Sequence, residues 1–139
     1  MIEQQRHLMI QEVYQSDPWK MLICCIFLNQ TNRDQLDRVR IKFFENYPDA
    51  KSVVNCDPWE MSEMIKSLGF KNRRTLSIIN FSKDWIEKSW NSPIELYGIG
   101  KYGQDSWEIF QNGNLEVKPT DGALISYLNQ VKSSNNISI

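Results

Sequence analysis

Two segments of this chain have the residue types and spacing to do chemistry. The first is Leu96-Tyr97-Gly98-Ile99-Gly100-Lys101-Tyr102-Gly103. It reads as a glycine hairpin running into a helix N-terminus. Glycine permits the positive φ of a tight turn, and the free N–H groups of a starting helix suit a phosphate. The second is Val117-Lys118-Pro119-Thr120-Asp121, which sets a lone carboxylate where a helix can begin. A carboxylate there can stabilise developing positive charge or orient and deprotonate water. Together the two segments imply a grip on a nucleic-acid backbone with acid–base chemistry beside it. On residues alone, Asp121 also suits a helix cap, and the glycines also suit a plain turn between helices.

The elements that must hold these segments read as helical throughout. An amphipathic stretch covers about residues 5–14. Asp17-Pro18-Trp19 signals a helix start, with Asp as N-cap and Pro at the first helical position. Trp19, Leu22, Ile23, Ile26 and Phe27 recur at helical spacing, so this helix should be central and buried. Thr31 or Asn32 should cap the next helix, which reaches Tyr47 before Pro48. Asp57-Pro58-Trp59 repeats the start signal, with Met61, Met64, Ile65 and Leu68 on one face and a stop at Gly69. Residues 73–88 form another helix, with Leu76, Ile79, Trp85 and Ile86 expected inward. A short helix follows Ser92-Pro93, then the hairpin, a helix to about Gln111, a loop over residues 111–114, and a last helix near Asp121. The expectation is one all-α domain over residues 1–132 and a polar, frayed tail over residues 133–139.

Composition narrows the chemistry. The 139 residues suffice for one domain, and 16 basic against 17 acidic side chains give a formal charge of −1. A nucleic-acid binder with that total needs a local positive face. The run Lys66 to Arg74 supplies one, since it holds Lys66, Lys71, Arg73 and Arg74 and no acid. Three cysteines without ligand spacing argue against a disulfide framework, a zinc site or an iron–sulfur cluster, and fit a reducing compartment. His7 is the single histidine and reads as a surface residue, so no His-based triad or metal site is expected. Met1 is not followed by a basic segment and a long apolar run, so no secretory signal is expected. The longest apolar run, residues 21–28, is too short to cross a bilayer.

With these segments in place, the chain resembles the helix-hairpin-helix DNA glycosylases, and within them the glycosylase domain of the methyl-CpG-binding domain protein 4 family. The residues that carry the resemblance are Ile10-Gln11-Glu12, Asp17-Pro18-Trp19-Lys20, Ile26-Phe27-Leu28-Asn29, Pro93-Ile94-Glu95-Leu96, Gly98 to Gly103, and Asp105-Ser106. They span roughly residues 8–128 in the same order. The resemblance implies two helical lobes flanking a cleft, without the methyl-CpG-reading module. It also implies removal of thymine or uracil opposite guanine from double-stranded DNA in base-excision repair, by a monomer in the nucleus.

The same resemblance assigns residues. Asp121 becomes the catalytic carboxylate that stabilises an oxocarbenium-like sugar. Tyr102 stands where bifunctional relatives carry a Schiff-base lysine; a phenol cannot form one, so no lyase activity is expected. Lys101, one residue earlier, points about 100° away. Gln11 and Tyr102 border the pocket of the extruded base, where an amide complements the imide edge of uracil or thymine. Phe70 is the apolar wedge, with Lys71, Arg73 and Arg74 beside it for phosphates. Gln30 fills the vacated space where close relatives carry arginine. Gly98, Gly100 and Lys101 hold the backbone of the DNA. The hairpin carbonyls can hold a monovalent cation, and no side-chain metal ligand is expected. After Asp121 stand Gly122 and Ala123, where close relatives carry polar or basic residues; Gly122 weakens the first helical turn. Those changes and the acidic balance leave a second reading open, a DNA-binding module of this fold without turnover. A helical protein-interaction domain is a third.

Overall fold

Asp17, Asn32 and Asp57 each begin a helix in the way their side chains dictate. In the computed structural model, which describes residues 7–137, helices account for all regular structure and no strand occurs among these residues. The helices are α1 (Ile10–Val13), α2 (Pro18–Phe27), α3 (Arg33–Asn46), α4 (Ala50–Val54), α5 (Pro58–Met64), α6 (Lys71–Glu87), α7 (Lys101–Phe110) and α8 (Gly122–Ile137). Short 3-10 turns lie at Lys66–Leu68 and Pro93–Glu95.

Asp17 Oδ1 accepts the Lys20 N–H at 3.3 Å, and Asp57 Oδ1 accepts the Trp59 N–H at 2.9 Å. Asn32 and Gln35 exchange side-chain-to-backbone bonds at 2.9 and 3.0 Å, a reciprocal capping box that satisfies two N–H groups at the start of α3. Helix α4 was not legible in the sequence. Asp49 caps it by accepting the Ser52 N–H at 2.8 Å, but five residues are too few to display a period. Of the first amphipathic stretch, residues 5 and 6 lie outside the described residues, and the helix itself begins only at Ile10. Helix α8 continues past Ser133, where a frayed tail was expected, to Ile137.

Helix α2 is apolar on nearly every side, as a helix surrounded by others must be. Trp19, Met21, Leu22, Ile23, Cys24, Ile26 and Phe27 are all buried on it. Removing each large side chain from water contributes about 1.5–3 kcal/mol, so α2 can organise its neighbours α1, α3, α6 and α7. Helix α6 corrects the sequence reading. Its buried stripe is Arg74, Thr75, Ile78, Phe81 and Ser82, whereas Leu76 and Ile86 are 59% and 52% exposed. Two polar groups of the inward stripe have internal partners: Ser82 Oγ accepts the Trp19 indole N–H at 3.2 Å, and the Arg74 guanidinium donates to backbone carbonyls. Of the four residues expected inward, Ile79 and Trp85 pack against the core while Leu76 and Ile86 face out.

Candidate active site

Four chain segments meet around one cavity of about 730 Å³. The loop after α2 brings Gln30, the start of α6 brings Phe70 and Arg73, the hairpin brings Gly98 to Gly103, and the start of α8 brings Asp121. The starts of four helices, α3, α6, α7 and α8, thus border the cavity, and a helix N-terminus carries a partial positive charge of about half a unit. Arg33, Arg73, Arg74 and Lys101 also line it, against Asp121 as the one carboxylate among the described lining residues. A chain of net charge −1 in this way builds a positive hollow around a single acid.

Asp121 is a helix cap that also lines the cavity. Oδ2 accepts the Leu124 N–H at 3.0 Å and so caps α8, while the residue borders the cavity. The cap fixes the carboxylate against the helix, leaving its other oxygen for a ligand.

The hairpin is built as its glycines require. Gly98 has φ +81°, a conformation that L side chains rarely adopt. Gly100 has an extended backbone, and a Cβ placed there would meet nothing within 4 Å. The fold itself therefore does not demand glycine at 100; open space there suits a close approach by an outside group. Gly100 also gives α7 no side-chain cap, so the first N–H groups of that helix keep their donors for a ligand.

Two non-glycine residues among those described have positive φ: Gln30 at 62° and Phe70 at 50°. Both stand on the cavity rim, and these are the residues assigned to the plug and the wedge from sequence. Phe70 is 55% exposed. The Arg73 and Arg74 guanidinium groups lie 5.0 and 5.9 Å from its ring centre, so its aromatic face is backed by cations. A strained backbone holding an exposed aromatic ring is a conformation that folding alone does not favour.

Other assigned residues sit differently from their sequence reading. Arg74 is buried, and its guanidinium donates to the carbonyls of Gly69 at 2.8 Å, Leu68 at 3.2 Å and Phe27 at 3.3 Å. It ties the end of α2 to the turn before α6, so its main bonds are structural. Burial, followed by the nearby Arg73 charge, pulls its pKa below the ordinary arginine value. Lys71 lies off the cavity; it pairs with Glu63 at 2.6 Å and stacks 5.2 Å from the Trp59 ring. Glu63 also reaches Lys66 at 3.9 Å. The basic run of the sequence is thus opposed by an acid from α5. Lys101 pairs with Asp105 at 3.0 Å and donates to the Lys118 carbonyl at 3.1 Å.

Gln11 is fully buried and does not line the cavity. Its Nε2 donates to Tyr102 Oη at 2.8 Å and to Ser106 Oγ at 3.0 Å, one layer behind the cavity wall. Tyr102 and Cys25 form that wall. Burial, reinforced by the Cys25 thiol, raises the Tyr102 phenol well above its ordinary value. Burial also pushes the Cys25 thiol up to about 12; a Ser106 hydrogen bond opposes the rise and the Asp121 charge adds to it. Neither group ionises near neutral pH. Sequence reasoning missed Cys25 and Ser106 as parts of the site. The signal was the i, i+4 spacing of Tyr102 and Ser106, which places both hydroxyls on one face of α7. Among the described residues, no group of three or more His, Cys, Asp or Glu side chains could hold a metal ion, and no helix is long and apolar enough to cross a membrane.

The all-α fold thus gathers a glycine hairpin, four cationic side chains and one capped carboxylate around a single cavity. Residues 23–138 match the HhH-GPD superfamily of base excision DNA repair proteins, and the chain belongs to that family. It is 37% identical over 120 residues to the methyl-CpG-binding domain protein 4-like protein of Arabidopsis thaliana, covering 86% of this chain and 27% of that protein. It is 22% identical over 94 residues to endonuclease III of Thermotoga maritima, covering 63% of this chain and 44% of the relative. The solved structure of a thermostable thymine-DNA glycosylase superposes with a TM-score of 0.65 at 24% identity, over 70% of this chain and 48% of that one. The chain thus spans between about a quarter and a half of the length of these proteins. The structural likeness supports the helical fold.

Proposed function

We propose that this chain is a DNA N-glycosylase that removes thymine or uracil mispaired with guanine and leaves the abasic site uncut. The observation that carries the reading is Asp121, the single carboxylate among the described residues lining a cationic cavity bordered by the hairpin. Cleaving an N-glycosidic bond develops positive charge on the sugar, and a fixed carboxylate stabilises it and orients water for attack. The departing base takes the bonding electron pair, water supplies the new C–O bond, and a proton from water ends on the base.

The rest of the site serves the approach. A base inside a duplex must be extruded at a cost of a few kcal/mol, least at a mispair. Phe70 and Gln30 on the rim are placed to enter the gap. The N–H groups of α7 and the Arg73 guanidinium are placed for phosphates. A monovalent cation at the hairpin belongs to the same reading. Leu96 O accepts the Ile99 N–H and Gly100 O accepts the Gln104 N–H, so the carbonyls between them would hold it and it would add positive charge toward a phosphate. The lyase-negative reading is supported by Tyr102 at the hairpin and by Lys101, whose amine is engaged by Asp105. The solved glycosylase is named for thymine in DNA, which agrees with this substrate class. Action on chromosomal DNA as a monomer, in the nucleus, follows from the same reading.

The test is a panel of duplexes holding G·T, G·U and A·T pairs, incubated with the protein and then treated with alkali. Product from the two mispairs and none from A·T is expected, with no strand break before alkali. Tight binding of the mispairs without product would make the chain a DNA-binding module instead. Breaks before alkali would overturn the lyase-negative part.

A further inference from the structure

Lys101 stands where a cation is least expected. It is the first residue of α7, and the start of a helix carries partial positive charge. Its ammonium pairs with Asp105 Oδ2 one turn on at 3.0 Å, but a lysine placed before its acid is the weaker order for such a pair. Asp105 is 7% exposed, and burying a carboxylate is costly. Helix stability therefore does not account for the pair. What the pair secures is a hold on another segment: the same ammonium donates to the Lys118 carbonyl at 3.1 Å.

That segment needs the hold. Residues 117–120 lead from the loop after α7 into Asp121. Among the described residues, no other hydrogen bond ties them to the rest of the chain, and Val117 adds partial burial against the core. Pro119 has no N–H to give. Helix α8, which follows, buries only Leu124 and Leu128 among the described residues. The proline also makes the tie effective. It fixes its own φ and favours an extended Lys118, so a carbonyl held at 118 passes its position on to Asp121 with little slack.

We infer that Lys101 is a positioning residue, not a phosphate ligand: held by Asp105, it straps residues 117–120 to the hairpin helix and so fixes where the Asp121 carboxylate stands relative to the hairpin. Asp121 Oδ2 is bound to the Leu124 N–H, so the carboxylate moves with the start of α8. The strap joins that start to α7, whose first turn carries Tyr102 in the cavity wall. A carboxylate that must meet positive charge developing on a sugar loses much of its effect when it is misplaced by about 1 Å. The inference rests on the glycosylase reading and adds to it a residue which acts through Asp121.

The test reads chemistry, binding and local motion separately, on the full chain. Lys101→Met keeps the stem and removes the ammonium. Single-turnover excision of uracil from a G·U duplex at saturating protein should fall at least about tenfold, the worth of one hydrogen bond. Binding to the same duplex, made uncleavable by a fluorine on the sugar, should keep its salt slope. Backbone order parameters of Lys118, Thr120 and Asp121 should fall from the rigid value of about 0.85 toward about 0.6. Lys101→Arg can still bond a carboxylate and a carbonyl, and it should restore both rate and order. Asp105→Asn removes the charge that holds the ammonium; it should act in the same direction, and it decides the matter if Lys101→Met does not fold. A loss of about one unit of salt slope marks a phosphate ligand and overturns the inference. So does an unchanged rate or an unchanged order in the variant. A parent inert on G·U overturns the glycosylase reading, while the order parameters still decide the strap.

Discussion

Replacing Phe70 with glycine separates what the wedge does for the fold from what it does for DNA. Phe70 sits at φ 50° and ψ 42° and is 55% exposed. A left-handed backbone costs an L residue about 1–2 kcal/mol, which glycine recovers. Against that, the variant loses the buried part of the ring, about 1 kcal/mol when a whole side chain is worth about 1.5–3. Glycine also adds about 0.5–1 kcal/mol of chain entropy to the unfolded state. These effects nearly cancel. Urea unfolding of Phe70→Gly should therefore lie within about 1 kcal/mol of the parent. Excision should behave differently. Partial unstacking costs a few kcal/mol per base step, and losing about 2.7 kcal/mol of wedge stabilisation is about a hundredfold in rate. Single-turnover excision of uracil from a G·U duplex should fall by that order. A loss of more than about 3 kcal/mol in stability would make Phe70 a packing residue. Undiminished excision would refute the wedge.

Four further outcomes follow from the geometry. Arg74→Ala removes a buried guanidinium bound to three carbonyls, and urea melts should record a loss of about 3 kcal/mol. Arg73→Ala should instead leave stability alone and reduce the salt dependence of DNA binding by about one unit of slope. Glu63→Gln releases Lys71 and Lys66 from their shared carboxylate, so DNA affinity at low salt should rise, by about threefold, and the gain should fade as salt screens it. Asp37 gives the acid limb of stability. Burial works against its ionised form, but hydrogen bonds from Arg33 and Arg40 outweigh this and hold its pKa below the ordinary carboxylate value. Its contribution is therefore full above the unfolded value of about 4 and is lost as pH falls through the folded one. Asp37→Asn should cost about 3 kcal/mol at neutral pH, because Arg40 is buried beside it, and the gap to the parent should close in acid.

The parts of this fold legible in the sequence are those written in local chemistry. Asp17-Pro18 and Asp57-Pro58 start helices because an Asp oxygen and a missing proline N–H suit the same few N–H groups. Gly98 declared the hairpin because few other residues accept its φ. Asp121 was legible through its place after the hairpin helix, and the cavity brings it to the Gly98–Gly103 bend. What stayed hidden depends on partners far away in the chain. Thr75 and Ser82 look like surface residues until the rest of the core closes on α6. Arg40 and Arg74 carry charges, yet both are buried because Asp37 and three backbone carbonyls meet them. Gln11 was assigned to the base pocket by resemblance, but only the fold shows its bonds to Tyr102 and Ser106. The strain at Gln30 and Phe70 has no sequence signal, since neither residue type favours positive φ.

The most direct measurement is the single-turnover rate of uracil release from a G·U duplex by the parent protein and by Asp121→Asn. Asparagine can still accept the Leu124 N–H, so the variant keeps its helix cap, its fold and its grip on DNA. The account predicts a rate lower by on the order of a hundredfold or more, with binding and melting temperature unchanged. A variant that releases uracil as fast as its parent would contradict it.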